Sequence, residues 1–341
     1  MMQAEGELAL FQSPADPHET RRSEWLAVSA FDPMVEYLEA EHWLGEAPGI
    51  WEVARLSAAA YVYRESGTGW ALVAKYYTAK AGSDAERHAQ REWDNTNLVR
   101  SLGLAEKGLR ALRPVALERG ALLLEYIEGL TLEDTISVRR SQPGLLRDRL
   151  ALAARLLGIL HVSAQHGDVP PSFDSGADYA CKVVDNLSHH GVLQQEPLVR
   201  DALYALVGRW ADRPEMAEFR PVLIHGDPTT TNFVFPSPDG VVAIDWERLK
   251  VADPAADLGR LMAEVSHSVV RHGGNAVEAE ALVAHAVQSY QLSVPREWDR
   301  PAIRERARFY RASSTLRIAR NGWLSRLERT ALVAQALALL I

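Results

Sequence analysis

His225-Gly-Asp-Pro-Thr-Thr-Thr-Asn232, followed thirteen residues later by Asp245 in Ile244-Asp-Trp-Glu247, is the stretch on which the fold turns. Short apolar runs flank it: Pro221-Val-Leu-Ile before, then Asn232-Phe-Val-Phe and Val241-Val-Ala-Ile, with the turn Pro236-Ser-Pro-Asp-Gly240 between the last two. A loop closing short strands can present Asp227, Asn232 and Asp245 together. Such a set suits phosphoryl transfer, which needs an in-line hydroxyl, a metal to neutralise the phosphates, and a carboxylate to orient the nucleophile and accept its proton. On that reading Asp227 faces the hydroxyl, while Asn232 and Asp245 offer oxygen ligands to Mg²⁺.

Outward from this loop the chain divides in two. Upstream, Ile50 to Thr78 reads as strands: Ala60-Tyr-Val-Tyr-Arg alternates, Gly67-Thr-Gly69 turns, and Trp70 to Tyr77 forms a third strand. Ser83-Asp-Ala-Glu86 is a capping box that predicts a helix from Asp84 to about Leu102, and Val115 to Tyr126 returns to strand. Past Gly129, helical periodicity dominates 145–166, 196–212, 255–272, 275–292 and 301–340. The expected class is α+β and bilobal, with a partly helical extension (1–45), a β-rich N-lobe with one helix (46–127) and a mainly helical C-lobe holding the loop (128–341). In the extension, Asp32-Pro33 opens a short helix carrying Met34, Tyr37, Leu38 and Trp43.

Composition narrows the class. A chain of 341 residues is long for one core, which favours two lobes. The net charge of −8 argues against general nucleic-acid binding. The lone Cys181 excludes an internal disulfide and suits a reducing cytoplasm. Residues 1–22 show no signal pattern and no apolar run reaches membrane-spanning length, so a cytoplasmic protein without a membrane partner is expected.

The loop, the downstream Asn232, Ile244-Asp-Trp-Glu247 and the continuation Ala252-Asp-Pro-Ala-Ala-Asp257-Leu-Gly together resemble the aminoglycoside phosphotransferase and choline kinase family. The Asp-x4-Asn spacing matches the protein-kinase catalytic loop, and Asp245 stands where that fold places its second metal-binding aspartate. The resemblance implies a protein-kinase-like fold, ATP and Mg²⁺, a small-molecule alcohol as acceptor, and Asp257 bracing the loop from a helix start. It also implies that Lys75, in Leu72-Val-Ala-Lys75, grips the α- and β-phosphates while Glu92, seventeen residues on, holds its ammonium. Singly, Lys75 is a strand-end lysine and Glu92 a surface glutamate; in this order ahead of the loop they read as a pair. Glu86 is the rival to Glu92, but its capping role accounts for it. Between the lobes, Leu122 to Gly129 resembles the family's hinge, with the Glu125 carbonyl and Ile127 amide available to an adenine edge. One departure is the first turn, Leu56-Ser-Ala-Ala-Ala60, which lacks glycine and leaves Ser57 as a hydrogen-bond donor to phosphate.

A protein substrate is disfavoured: only twelve positions separate Asp245 from Asp257, with no Ala-Pro-Glu marker, and Thr229 stands where serine/threonine kinases place a lysine. A catalytically silent kinase-like binding module is the alternative, and the presence of the lysine, the base and the metal aspartate argues against it. Arginines crowd the stretch from Arg296 to Arg329; a basic wall of Arg304, Arg308 and Arg311 for an anionic or sugar-like acceptor competes there with a solvated helix of local ion pairs. His166, His189 and His190 fall in a loop-rich, partly helical insert before residue 196 without metal-ligand spacing. Trp246 is expected to pack beneath Asp245.

Overall fold

The computed structural model describes residues 25–28, 32–41, 49–77, 84–104, 109–118, 120–164, 170–298 and 300–341. Strands β1 (Leu26–Ala27), β2 (Trp51–Arg55), β3 (Ala60–Glu65), β4 (Ala71–Tyr76), β6 (Pro114–Glu118) and β7 (Ala121–Glu125) form an antiparallel sheet in the order β1-β2-β3-β4-β7-β6. Alternation along β4 decides what each face meets. Leu72 and Ala74 pack with Trp51, Tyr63 and Leu123 under helix α1 (Pro33–Ala40). Val73 and, past the strand end, Tyr77 pack with Leu122 and Leu124 against helix α2 (Ala85–Ser101). Lys75 shares the α2 face by the same period.

The helix that Asp32-Pro33 announces is thus part of the N-lobe. Asp32 Oδ1 accepts from Met34 N at 2.8 Å, and Met34, Val35 and Leu38 are buried on the sheet. A fully buried leucine such as Leu38 contributes about 2 kcal/mol, enough to dock a two-turn helix that would not persist alone. Trp43 and the Ser83 of the expected capping box lie outside the described residues.

The C-lobe holds α3 (Leu132–Ser137), α4 (Pro143–Ser163), α5 (Asp174–His190), α6 (Pro197–Ala211), α7 (Pro254–Arg271), α8 (Ala276–Ser293), α9 (Arg300–Ala319) and α10 (Arg326–Leu340). A small sheet of β5 (Leu109–Ala111), β11 (Gly240–Ala243), β10 (Phe233–Ser237) and β8 (Leu130–Thr131), and the pair β12 (Lys250–Ala252) with β9 (Val222–Ile224), carry the loop. The crossing into this lobe is tight at Gly129, where a Cβ would meet Phe235 O at 2.5 Å.

Three features refine or correct the sequence reading. The stretch expected as loop-rich and partly helical is dominated by the long helix α5, whose Ala180, Val183, Val184 and Leu187 are buried at helical spacing. His189 and His190 lie at its end, where His189 Nδ1 bonds Asp185 O at 2.7 Å; His166 lies outside the described residues. The helical periodicity over 301–340 belongs to two helices, the first ending at Ala319 and the second started by a capping box in which Glu328 N donates to Ser325 Oγ at 3.3 Å and Ser325 N to Glu328 Oε2 at 2.8 Å. Of the arginines of α9, Arg304 is exposed and Arg308 has a local ion pair with Glu305 at 3.7 Å, but Arg306, Arg311 and Arg317 are held by neighbouring elements. Arg306 is buried on Asp253 at 2.8 Å, Arg311 bonds Glu280 at 2.9 Å and Ser266 at 2.8 Å, and Arg308 Nε donates to Leu339 O at 2.7 Å. They tie α9 to its neighbours, and Arg304, Arg308 and Arg311 line a groove with Glu280 instead.

Candidate active site between the lobes

The loop from His225 to Asn232 joins β9 to β10, and its conformation is set from behind. Asp257, in the first turn of α7, is almost fully buried and receives His225 N at 2.7 Å, Gly226 N at 2.9 Å and His161 Nε2 at 3.1 Å. Burial alone would raise its pKa; the hydrogen bond and charge of His161, with His225 and the Gly226 N–H, pull it below the ordinary carboxylate value. His161 is held in turn by the Tyr290 hydroxyl at 2.9 Å from Nδ1. Gly226 has φ +81°, and a Cβ there would stand 2.2 Å from Arg248 O, so no other residue fits. His225 Nε2 donates to Ile244 O at 3.0 Å and Nδ1 accepts from Asp227 N at 3.3 Å, which fixes one tautomer and ties the loop to the end of β11. Its ring lies 4.3 Å, centroid to centroid, from buried Trp246.

Asp227 is held by two arginines. Arg260 Nη1 donates to Asp227 Oδ1 and, at 2.9 Å, to Gly226 O, while Arg248 Nε lies 3.3 Å from Oδ2. Asn232 Nδ2 donates to Asp227 O at 2.9 Å, leaving Oδ1 of the amide as its remaining acceptor. The backbone of Asn232 accepts Ile244 N at 3.0 Å, so Asn232 and Asp245 flank the end of the hairpin where β10 begins and β11 ends.

Asp245 adopts the left-handed conformation, φ 65° and ψ 63°, and is the only non-glycine residue with positive φ among those described. Such a conformation costs about 1–2 kcal/mol and persists only where the surroundings hold it. Here Lys75 Nζ, from the other lobe, bonds Asp245 Oδ1 at 2.8 Å and Glu92 Oε2 at 2.5 Å, with Glu247 at 3.8 Å. Burial disfavours the ammonium, but Glu92, Asp245, Tyr77 and Glu247 outweigh it and hold the Lys75 pKa well above the ordinary lysine value. Burial and Glu92 push the Tyr77 phenol up, so it stays protonated and donates to Glu92. Ligand oxygens of Glu92, Asp245 and Glu247 lie within 4.8 Å of one another. This carboxylate set fits a hard divalent cation such as Mg²⁺, and Asn232, whose backbone pairs with Ile244, offers an amide oxygen as a further donor.

The remaining expected site residues lie along the N-lobe edge. Ser57 is exposed in the turn between β2 and β3, where its Oγ accepts Ala59 N at 3.2 Å. Glu125 ends β7, its carboxylate bonded to Arg110 at 2.9 Å and its N–H to Arg113 O at 2.9 Å, and Ile127 packs with the cluster under α2. Sequence reasoning missed Arg260, Tyr77, Glu247 and His161. For Arg260 one signal existed: it follows Asp257 by three residues and so shares its helix face. No local pattern marks His161.

Comparison with known proteins agrees with this geometry. Residues 57–305 match the model of the phosphotransferase enzyme family. A choline kinase from Streptococcus pneumoniae superposes with TM-score 0.54 at 18% identity, covering 90% of this chain and 99% of that one. A Plasmodium vivax ethanolamine kinase gives TM-score 0.56 at 13% identity, covering 89% and 87%. An ADP-bound aminoglycoside phosphotransferase gives 0.54 at 15% identity, covering 90% and 97%. These likenesses show the protein-kinase-like fold. A search of curated proteins by sequence found no match.

Proposed function

Because the chain belongs to the phosphotransferase enzyme family, we propose that it is an ATP-dependent kinase of a small-molecule alcohol, with Asp227 as the base and Lys75 as the phosphate grip. The observation that supports this most is the Lys75 ammonium shared by Glu92 of the N-lobe at 2.5 Å and Asp245 of the C-lobe at 2.8 Å, which sets a cation at the cleft between them. Glu125 O and Ile127 N would take the adenine edge, Ser57 the outer phosphates and Lys75 the α- and β-phosphates. Asn232 and Asp245 would hold Mg²⁺, which when bound supplies positive charge to the phosphate oxygens. Asp227, pinned through Asn232 and Arg260, orients the acceptor hydroxyl and takes its proton. As it does, the acceptor oxygen bonds to the γ-phosphorus and the bond to the β,γ-bridging oxygen breaks, leaving ADP and a phosphomonoester.

ATP use and the lone Cys181, which has no disulfide partner in the chain, suit a cytoplasmic enzyme. Among the described residues no helix is long and apolar enough to cross a membrane.

The test is thermal shift with ATP, GTP and ADP, each with and without Mg²⁺, on wild type and Asp245→Ala. A shift that needs nucleotide and metal together and is lost in the variant is expected. No shift with any nucleotide would return the chain to the silent binding module.

A further inference from the structure

Beside Asp227 lies a cavity of about 460 Å³, bounded by β12 and parts of α2, α5, α7 and α9. None of Ser57, Lys75, Glu125, Ile127, Asn232 and Asp245 lines it, and it meets the acidic cluster only at Tyr77 and Glu247. Its wall carries Arg91, Arg248, Lys250 and Arg260 against two carboxylates, Glu247 and Asp257. Asp257 is committed to the loop behind it, with both oxygens accepting hydrogen bonds. Glu247 faces Arg248 at 3.6 Å and Lys75 at 3.8 Å. With Asp227, which Arg260 and Arg248 both face, three carboxylates stand against four cations, and the charge left over is still positive.

Donor capacity is also left over. Lys250 has no ion-pair partner among the described residues. Arg260 spends Nη1 on Asp227 and Gly226 O, whereas its Nη2 makes only a 3.5 Å contact with the Tyr179 hydroxyl. Ser313 and Ser314, buried on α9, add neutral hydroxyls to the same wall. A cationic acceptor of the choline or aminoglycoside kind would meet like charge here; an anion would meet forked guanidinium donors that match carboxylate and phosphate alike.

We propose that the acceptor alcohol carries an anionic group, carboxylate or phosphate, that seats on Arg260, Lys250 and Arg248 beside Asp227. The proposal rests on the kinase reading and names the acceptor class of that same site. In the structure as it stands, Arg260 and Arg248 each face one oxygen of Asp227, so an anion seated between them and Lys250 lies beside that carboxylate and shares its donors.

Calorimetric titration of the full chain decides it, first with Mg-ADP and then, with Mg-ADP present, with glycerate, glycerol 3-phosphate, glycerol and choline. At least one anion should bind about tenfold or more tightly than glycerol and choline, and Lys250→Gln and Arg248→Gln should each erode that preference. Whether glycerate or glycerol 3-phosphate binds more tightly tells carboxylate from phosphate. If Mg-ADP binds but glycerol or choline equals both anions, if no probe binds, or if the preference survives both substitutions, the proposal falls and the kinase reading stands. Failure of Mg-ADP itself to bind overturns both.

Discussion

The two sides of the cleft are electrostatic opposites. On one, a single ammonium, Lys75, sits among Glu92, Asp245 and Glu247; on the other, the Asp227 carboxylate sits between Arg260 and Arg248, with Glu247 3.6 Å from Arg248 at the border of the two. The first arrangement has negative charge to spare, which a divalent cation carrying phosphates would balance. The second has positive charge to spare, which the proposed anion would balance. Both sides hang on one short segment of chain, because Asp227 and Asp245 flank the β10–β11 hairpin and Asp257 fixes the loop from beneath. On the proposed reading, charge placement gives different partners to two sites that share a backbone.

Asp227→Ala breaks the comparison at its basic side and should have the largest effect. Loss of a positioned proton acceptor lowers turnover by about 10³-fold, read as ADP formed per enzyme, while nucleotide binding persists. Lys75→Met strikes the acidic side. It leaves Glu92 buried without its cation, and removal of one partner from a buried pair costs about 3 kcal/mol or more, visible as a lower urea midpoint at unchanged slope.

Acid sharpens the contrast through the brace that both sides share. Asp257 has a folded pKa below its ordinary value of 3.8, so its contribution is present above that value and is lost as pH falls through the folded pKa. Stability should therefore drop below about pH 4, and Asp257→Asn, less stable at neutral pH, should show a flatter acid limb in urea titrations. Arg248→Gln should do least to stability. Its side chain is half exposed, so the pair with Asp227 contributes about 1 kcal/mol or less, and a larger loss of the urea midpoint would mean that Arg248 is structural.

What could be read from the sequence was what is local in the chain. Asp227, Asn232, Asp245 and Asp257 lie within about thirty residues, and the order of strand lysine before helix glutamate follows from simple periodicity. The placement of Val73, Lys75 and Tyr77 on one face of β4 follows from the two-residue repeat alone. Features that depend on packing between distant segments were not legible. The docking of α1 requires knowing which sheet face is bare. Strand β5 pairs in parallel with β11, far along the chain, and three residues of sequence carry no sign of that partner. The arginines of α9 looked like a solvated stripe because their partners, Asp253, Glu264 and Glu280, come from α8, α7 and the segment just before it. Arg260 took on meaning only once the first turns of α7 were set beneath the loop.

The account stands most directly on the division of labour between the two sides, and one side-by-side measurement tests it: Mg-ATP affinity and ADP formation for Asp227→Ala and Lys75→Met against wild type. The account predicts that Asp227→Ala binds Mg-ATP as wild type does but forms almost no ADP, and that Lys75→Met binds it about tenfold or more weakly. Wild-type turnover in Asp227→Ala, or undiminished Mg-ATP affinity in Lys75→Met, would contradict it.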